Sequence, residues 1–179
     1  MASVQTLSDD HRRVVAAWAA DCADRVLHLF EREAPDEPAP RDGIERARAY
    51  ARGDVDAASQ IRLRFMAGRA ARAATTPAGK AAARAAGQAS GVAHLGAHAL
   101  GAAAYAGRAA ELAAPGAGGA GELDWQLTAV TEPVRTALAL LPPLGQDRSG
   151  PLGPGLLATG ALGVHIRSLK QALEQRPRG

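Results

Sequence analysis

An all-α fold, arranged as a single-domain bundle of about six closely packed alanine-rich helices, is what this sequence predicts. Three observations predict it. Hydrophobic residues make up 47% of the chain but aromatics only 3%, and alanine, the strongest intrinsic helix former, supplies much of the difference. β-Branched residues are few. Apolar residues recur at helical spacing, and proline and glycine clusters divide the chain at helix-sized intervals. A length of 179 residues suits one domain with a substantial core. Alanine buries little apolar area, so the helices must approach closely, which leaves room for a homodimer or a ligand to add stability.

The first helix is expected over Ser8–Glu33. Ser8 is a capping residue, and Asp9 and Asp10 suit the positive end of the helix dipole. Val15, Trp18, Cys22, Val26 and Leu29 then form one apolar stripe. Three prolines between Ala34 and Pro40 end it. A second helix runs from Arg41 to Arg52 and stops at Gly53. A third, capped by Asp54, continues to Ala74 with Ile61, Phe65 and Met66 on its inner face. Thr75, Thr76 and Pro77 make the next break. The fourth helix, to Ala114, carries His94 and His98. Pro115–Gly121 reads as a flexible loop, a fifth helix spans 123–141 with a kink at Pro133, and Pro142–Pro154 reads as a surface loop. A last helix, 155–175, carries Leu162, His165, Ile166 and Leu169. Residues 1–141 thus form a helical core, and 142–179 a loop and helix packed on it.

Charge is unevenly spread. Met1–Ser59 holds 12 acids and eight arginines, whereas Gln60–Ala110 holds seven basic residues and no acid. That middle is either an electropositive face for an acidic partner, with Arg62, Arg69, Arg72 and Arg84 as its first candidates, or a set of solvated arginines pairing with first-helix acids. No basic cluster is interleaved with stacking aromatics, which argues against nucleic acid. Polar residues break the alanine-rich segment too often for a membrane span. A single cysteine, Cys22, permits no internal disulfide, and the start shows no secretory signal, so a cytoplasmic location is expected.

On one continuous helix, His94 and His98 would share a face with Gly87, Gly91, Gly101 and Tyr105. They can be read as half of a metal site, as satisfied buried histidines, or as the wall of a small pocket. Leu95, Gly96 and Ala97 between them exclude the glutamate of a helical zinc-protease motif, and no complete metal or cofactor set is visible. Asp21, Arg25 and His28 form a second polar line on the first helix. Cys22 beside them reads as a packed small hydrophobe. Arg41 opens the second helix against its dipole, so it should contact a carboxylate elsewhere. The candidate pocket set is therefore His94, His98, Arg25, Tyr105, Trp18, His28 and Arg41. Paired catalytic acids, a nucleophile elbow and a phosphate loop are all missing from the sequence.

Several blocks resemble one family: Trp18, Asp21-Cys22-Ala23, Arg25-Val26-Leu27 and Phe30-Glu31, then Pro40-Arg41, Ile44-Glu45 and Gly53. The likeness continues in Ala85-Ala86-Gly87-Gln88, Ala93-His94, His98-Ala99, Gly101-Ala102-Ala103, Tyr105-Ala106 and Trp125-Gln126. Over roughly residues 8 to 135 the chain is similar to the bacterial all-helical immunity proteins of the fifth class, attributed to polymorphic toxin systems. The resemblance implies an immunity-like protein that neutralises a cognate toxin by stoichiometric binding, without catalytic residues to transfer. The alternative is a small helical enzyme or small-molecule-binding protein, biosynthetic or self-resistance in role, using a His94/His98 pocket.

Overall fold

The computed structural model describes residues 3–61, 63 and 65–175. The helices are α1 (Asp9–Glu31), α2 (Ala39–Arg52), α3 (Ala57–Ile61), α4 (Met66–Arg69), α5 (Pro77–Gly91), α6 (His98–Ala113), α7 (Gly118–Thr128), α8 (Glu132–Ala139) and α9 (Gly160–Gln175). Short 3-10 turns lie at Val4–Thr6, Ala70–Ala73 and Leu156–Ala158. Among the described residues there is no strand and there are nine α-helices, where six were expected. The all-α class stands; its divisions are finer.

α1 follows the sequence pattern. The Ser8 side chain accepts from the His11 N–H, and Val15, Trp18, Cys22 and Val26 are buried together. α2 also ends as expected, with Gly53 left-handed at φ 85°. The expected third helix is instead α3, α4 and a 3-10 turn. Phe65 and Met66, predicted to face inward, are about half exposed; Ala67 and Ala71 are buried in their place. The cap before α3 is Asp56, which accepts from the Ser59 N–H, while Asp54 pairs with Arg52.

The expected fourth helix divides at 92–97, and this division sets the architecture. A continuous rod over 77–114 would be about 57 Å long, too long to bury within a domain of this size. α5 and α6 fold back as a hairpin, and α1 lies across it. α2 and α4 pack on α5, α7 and α9 on α6, and α8 on α1. The turn is held from the N-terminus: Gly96 and Ala97 N–H donate to the carbonyls of Thr6 and Gln5. Leu7, with φ at 61°, packs where any side chain on Gly96 would sit.

Alanine packing fills most of the interior, with Leu27, Phe30, Ile44, Tyr50, Leu100 and Ile166 as its larger members. The helices approach as closely as expected. A Cβ on Gly87 would lie 2.8 Å from the Gly68 backbone, and one on Gly43 would lie 2.9 Å from Ala67 Cβ. The Glu33 carboxylate latches α1 to the start of α5: it accepts from the N–H and hydroxyl groups of Thr75 and Thr76. These hydrogen bonds hold its carboxyl down at about 2.

Residues 142–159 are less loop-like than the sequence suggests. Gln5 is buried; its amide donates to Asp147 Oδ2 and Ser149 O, and its carbonyl accepts from Leu152 N–H at 3.0 Å. Leu152 is fully buried. α7 begins at Gly118, inside the glycine run expected to be a flexible loop, because Glu111 accepts from the N–H groups of Gly116 and Gly119.

Candidate functional site

Along the seam of the α5–α6 hairpin opens a cleft of about 580 Å³. α5 contributes Gly87, Gln88 and Gly91, and α6 contributes His98 and Tyr105. The α4 region supplies Phe65, Gly68, Arg69 and Arg72, and Arg84 stands at one end. Missing side chains shape it. Gly91 allows the His98 ring to lie on α5, where a Cβ would be 2.9 Å from the imidazole, and Gly101 clears space for Gln88. His98 Nδ1–H donates to Gln88 Oε1 at 2.8 Å, which fixes the ring orientation and its tautomer.

Tyr105 is only 7% exposed, and its hydroxyl has no hydrogen-bond partner among the described residues. Burial pushes the phenol above its ordinary value, against a smaller opposing pull from Arg84. It therefore stays protonated at neutral pH and can donate.

The cleft is also cationic. Most arginines of the acid-rich N-terminal region are paired within the fold, Arg12 and Arg13 with Asp9, Arg41 with Glu31, and Arg48 with Asp21, Asp24 and Glu45, while Arg46 Nε and Nη2 are buried without a hydrogen-bond partner among the described residues. Arg69, Arg72 and Arg84 are exposed and make no ion pair among the described residues, and no acid lines the cleft. Arg69 lies over the Phe65 ring, 5.9 Å from its centre.

The structure thus brings together His98 and Tyr105 from the predicted pocket with Arg69, Arg72 and Arg84 from the predicted partner face. Arg62, the fourth residue of that face, lies outside the described residues, as does the side chain of Ile61. The other pocket candidates lie elsewhere. His94 is exposed in the turn between α5 and α6, so the two histidines do not share a helix face. Among the described residues no three His, Cys, Asp or Glu side chains gather to hold a metal.

Trp18 and Arg25 belong to a separate polar network. Trp18 Nε1–H donates to the Gln126 carbonyl at 3.2 Å. Arg25 Nε–H donates to Glu122, 2.9 Å from Oε2, and its guanidinium stacks 4.1 Å from the Trp125 ring. Gln126, fully buried, donates to the Ala103 carbonyl and accepts from His165 Nε2–H at 2.8 Å. These contacts bind α1, α6, α7 and α9 together. Burial lowers His165 to about 4. His28 is exposed, with Nδ1 3.1 Å from the Arg25 carbonyl. Arg41 makes the expected carboxylate contact, 2.6 Å to Glu31 Oε1. Cys22 is fully buried, and burial pushes its thiol well up. Its surroundings suit packing and disfavour the thiolate.

A second cleft, about 390 Å³, continues past Arg84 and Tyr105. Lys80 and Arg108 line it from the hairpin, and Leu156, Thr159 and Ala161 from the far side. Sequence reasoning passed over Gln88, Phe65, Lys80 and Arg108. Gln88 stood in one of the recognisable blocks, but nothing in its spacing to His98, ten residues on, marks them as partners.

A family model described as "Imm-5 like putative immunity protein" matches residues 5–133. The chain belongs to this family. No curated protein and no solved structure matches it significantly. The matched region runs from the N-terminal turn to the start of α8 and holds every residue of the first cleft. The far wall of the second cleft, at 156–162, lies beyond it. No helix among the described residues is long and apolar enough to cross a membrane.

Proposed function

We propose that this family member acts as an immunity protein, neutralising a toxin domain by one-to-one binding through the cationic cleft face of the α5–α6 hairpin. One observation carries the reading: most arginines in the first helices are consumed by internal ion pairs, whereas Arg69, Arg72 and Arg84 are left without acids. Arginine forms planar, bidentate contacts to carboxylates and is less strongly hydrated than lysine, so it suits an interface. Exposed cations of one sign speed the approach of an acidic partner and set its orientation. The site needs no catalytic group for this task. Blocking a toxin requires only a face that is largely preformed, and the glycine-seated His98–Gln88 pair supports such rigidity.

The test is to search the neighbourhood of its gene for a polymorphic toxin, mix the purified chain with that toxin's domain, and determine mass and stoichiometry by light scattering. The expected result is a one-to-one complex whose association rate falls as salt rises. Failure to form a complex at low ionic strength refutes the reading. A small-molecule role for the same cleft is favoured by one feature, the Tyr105 hydroxyl on a wall of a cavity within the usual ligand-pocket size range. A thermal-shift screen in which His98→Gln and Tyr105→Phe abolish a ligand response would support that alternative.

A further inference from the structure

The two clefts meet at Arg84 and Tyr105, which line both. Their positions follow the hairpin. Gly91 and His98 lie at its turn, Arg84 and Tyr105 midway, and Pro77 and Leu112 at its open end. At 1.5 Å per residue the seam from Gly91 to Pro77 is about 21 Å long. An extended polypeptide rises about 3.3 Å per residue, so about six residues would span it.

The lining has a consistent chemistry. Cations stand along the seam, with Arg69 and Arg72 in the first half, Arg84 at the junction, and Lys80 and Arg108 in the second. No acid lines either half among the described residues. An exposed apolar side chain flanks each half: Phe65, 55% exposed, on the first and Leu156, 66% exposed, on the second. Partly exposed large apolar groups beside arginines without acids and a largely buried tyrosine are residue types enriched at protein interfaces. Tyr105 adds a hydroxyl that opens onto the cleft walls and is free to donate to an occupant. Its ring is more than nine-tenths buried and its hydroxyl, on the wall of both clefts, has no partner among the described residues.

We infer that the two clefts form one groove for an extended acidic segment of a partner protein, about six residues long, with the segment 156–162 as the far wall of its second half. The inference rests on the immunity reading for the partner's identity and goes further in naming its recognised chemistry. Carboxylates in its middle pair with Arg72, Arg84 and Arg108, apolar residues at its ends lie against Phe65 and Leu156, and Tyr105 donates to a carboxylate or carbonyl midway. The first half of the groove lies inside the region shared with the family, and the far wall of the second lies outside it. Contacts from 156–162 would therefore add to those made by the family-matched half.

The test uses the full chain and a fluorescein-labelled peptide, Phe-Glu-Asp-Glu-Asp-Leu, followed by anisotropy at low salt. Its Gln/Asn counterpart, hexathymidylate and inorganic phosphate serve as comparators. Two variants probe the halves. Arg84→Gln removes the shared cation and disturbs no ion pair among the described residues. Ala161→Glu places an acid in the second half at an exposed position in the first turn of α9, where a negative charge suits the helix. Saturable binding of the acidic peptide is expected, weakened about tenfold by Arg84→Gln and several-fold by Ala161→Glu. The neutral peptide should not compete.

No binding of the acidic peptide, or equal displacement by hexathymidylate or phosphate, overturns the peptide assignment. Unchanged affinity in Ala161→Glu overturns the two-part groove. The same variants tested against the toxin separate the two ideas. A toxin complex indifferent to both variants keeps the immunity reading and rejects the groove. Peptide binding without any toxin complex does the reverse.

Discussion

Acidifying the solution from pH 7.5 to 5.0 is expected to remove about 2 kcal/mol of folding stability through His165 alone. The imidazole lies at the α6–α9 contact, over Gly107, where any side chain would collide with it. Its Nε2–H donates to Gln126 Oε1, and Gln126 in turn donates to a backbone carbonyl, so the ring orientation is held while burial disfavours its charged form. Burial lowers the folded-state value to about 4, against about 6.5 in an unfolded chain. The unfolded state therefore binds the proton more readily. The contribution of the neutral ring is complete above about pH 6.5, declines as pH falls, and is gone below about pH 4, a total of about 3 kcal/mol. His165→Gln keeps a donor for Gln126 but cannot titrate. Urea unfolding of both proteins at pH 7.5, 6.0 and 5.0 measures the difference, and the remaining titrating groups, common to both, cancel. The wild-type midpoint should fall by about 1 M more than that of the variant. Parallel loss in the two proteins would refute a buried, neutral His165.

Arg25→Ala should cost about 2 kcal/mol, because Glu122, with only 4% of its side chain exposed, loses its counter-ion. Adding Glu122→Gln should restore part of that loss, which denaturant melts of the double mutant will show. Gly87→Ala should destabilise by about 1–3 kcal/mol by pushing α4 off α5. Gly121→Ala, exposed on α7 with open space around it, should instead raise stability by about 0.5–1 kcal/mol; calorimetry distinguishes the signs. Gln5→Ala should accelerate amide exchange at Leu152, which loses its acceptor, while leaving the interior of α5 protected.

The fold class and the first two helices were legible because their signals are local. The Ser8 cap, the stripe from Val15 to Val26, the prolines after α1 and Gly53 each act over one or two turns, and alanine content sets the helical bias. The Arg41–carboxylate contact was also readable, from a charge placed against its own helix dipole. The division of 77–114 was not. Alanine favours helix equally on both sides of residues 92–97, and the turn is held by carbonyls of Gln5 and Thr6, some ninety positions away. The error over His94 follows from that one missed break. His98, Tyr105, Arg69, Arg72 and Arg84 were recognised by type, in two separate groups, whereas Gln88 and Phe65 were not. Arg25 and Trp18 were grouped with the histidines since no local pattern reveals Glu122 or Gln126 as their partners, about a hundred residues on.

By itself the sequence determined the helical character, the ends of the strongest helices, the family and an acid-free middle rich in arginine. Only the tertiary structure decided that α5 and α6 turn back on each other, that His98 and Tyr105 stand beside Arg69, Arg72 and Arg84, and that Trp18 and Arg25 serve the packing of α7. The physical reason is range. Helix propensity and capping are set by neighbours within a turn or two, whereas a cleft is formed by backbone approaches and hydrogen bonds between segments that the chain order keeps far apart.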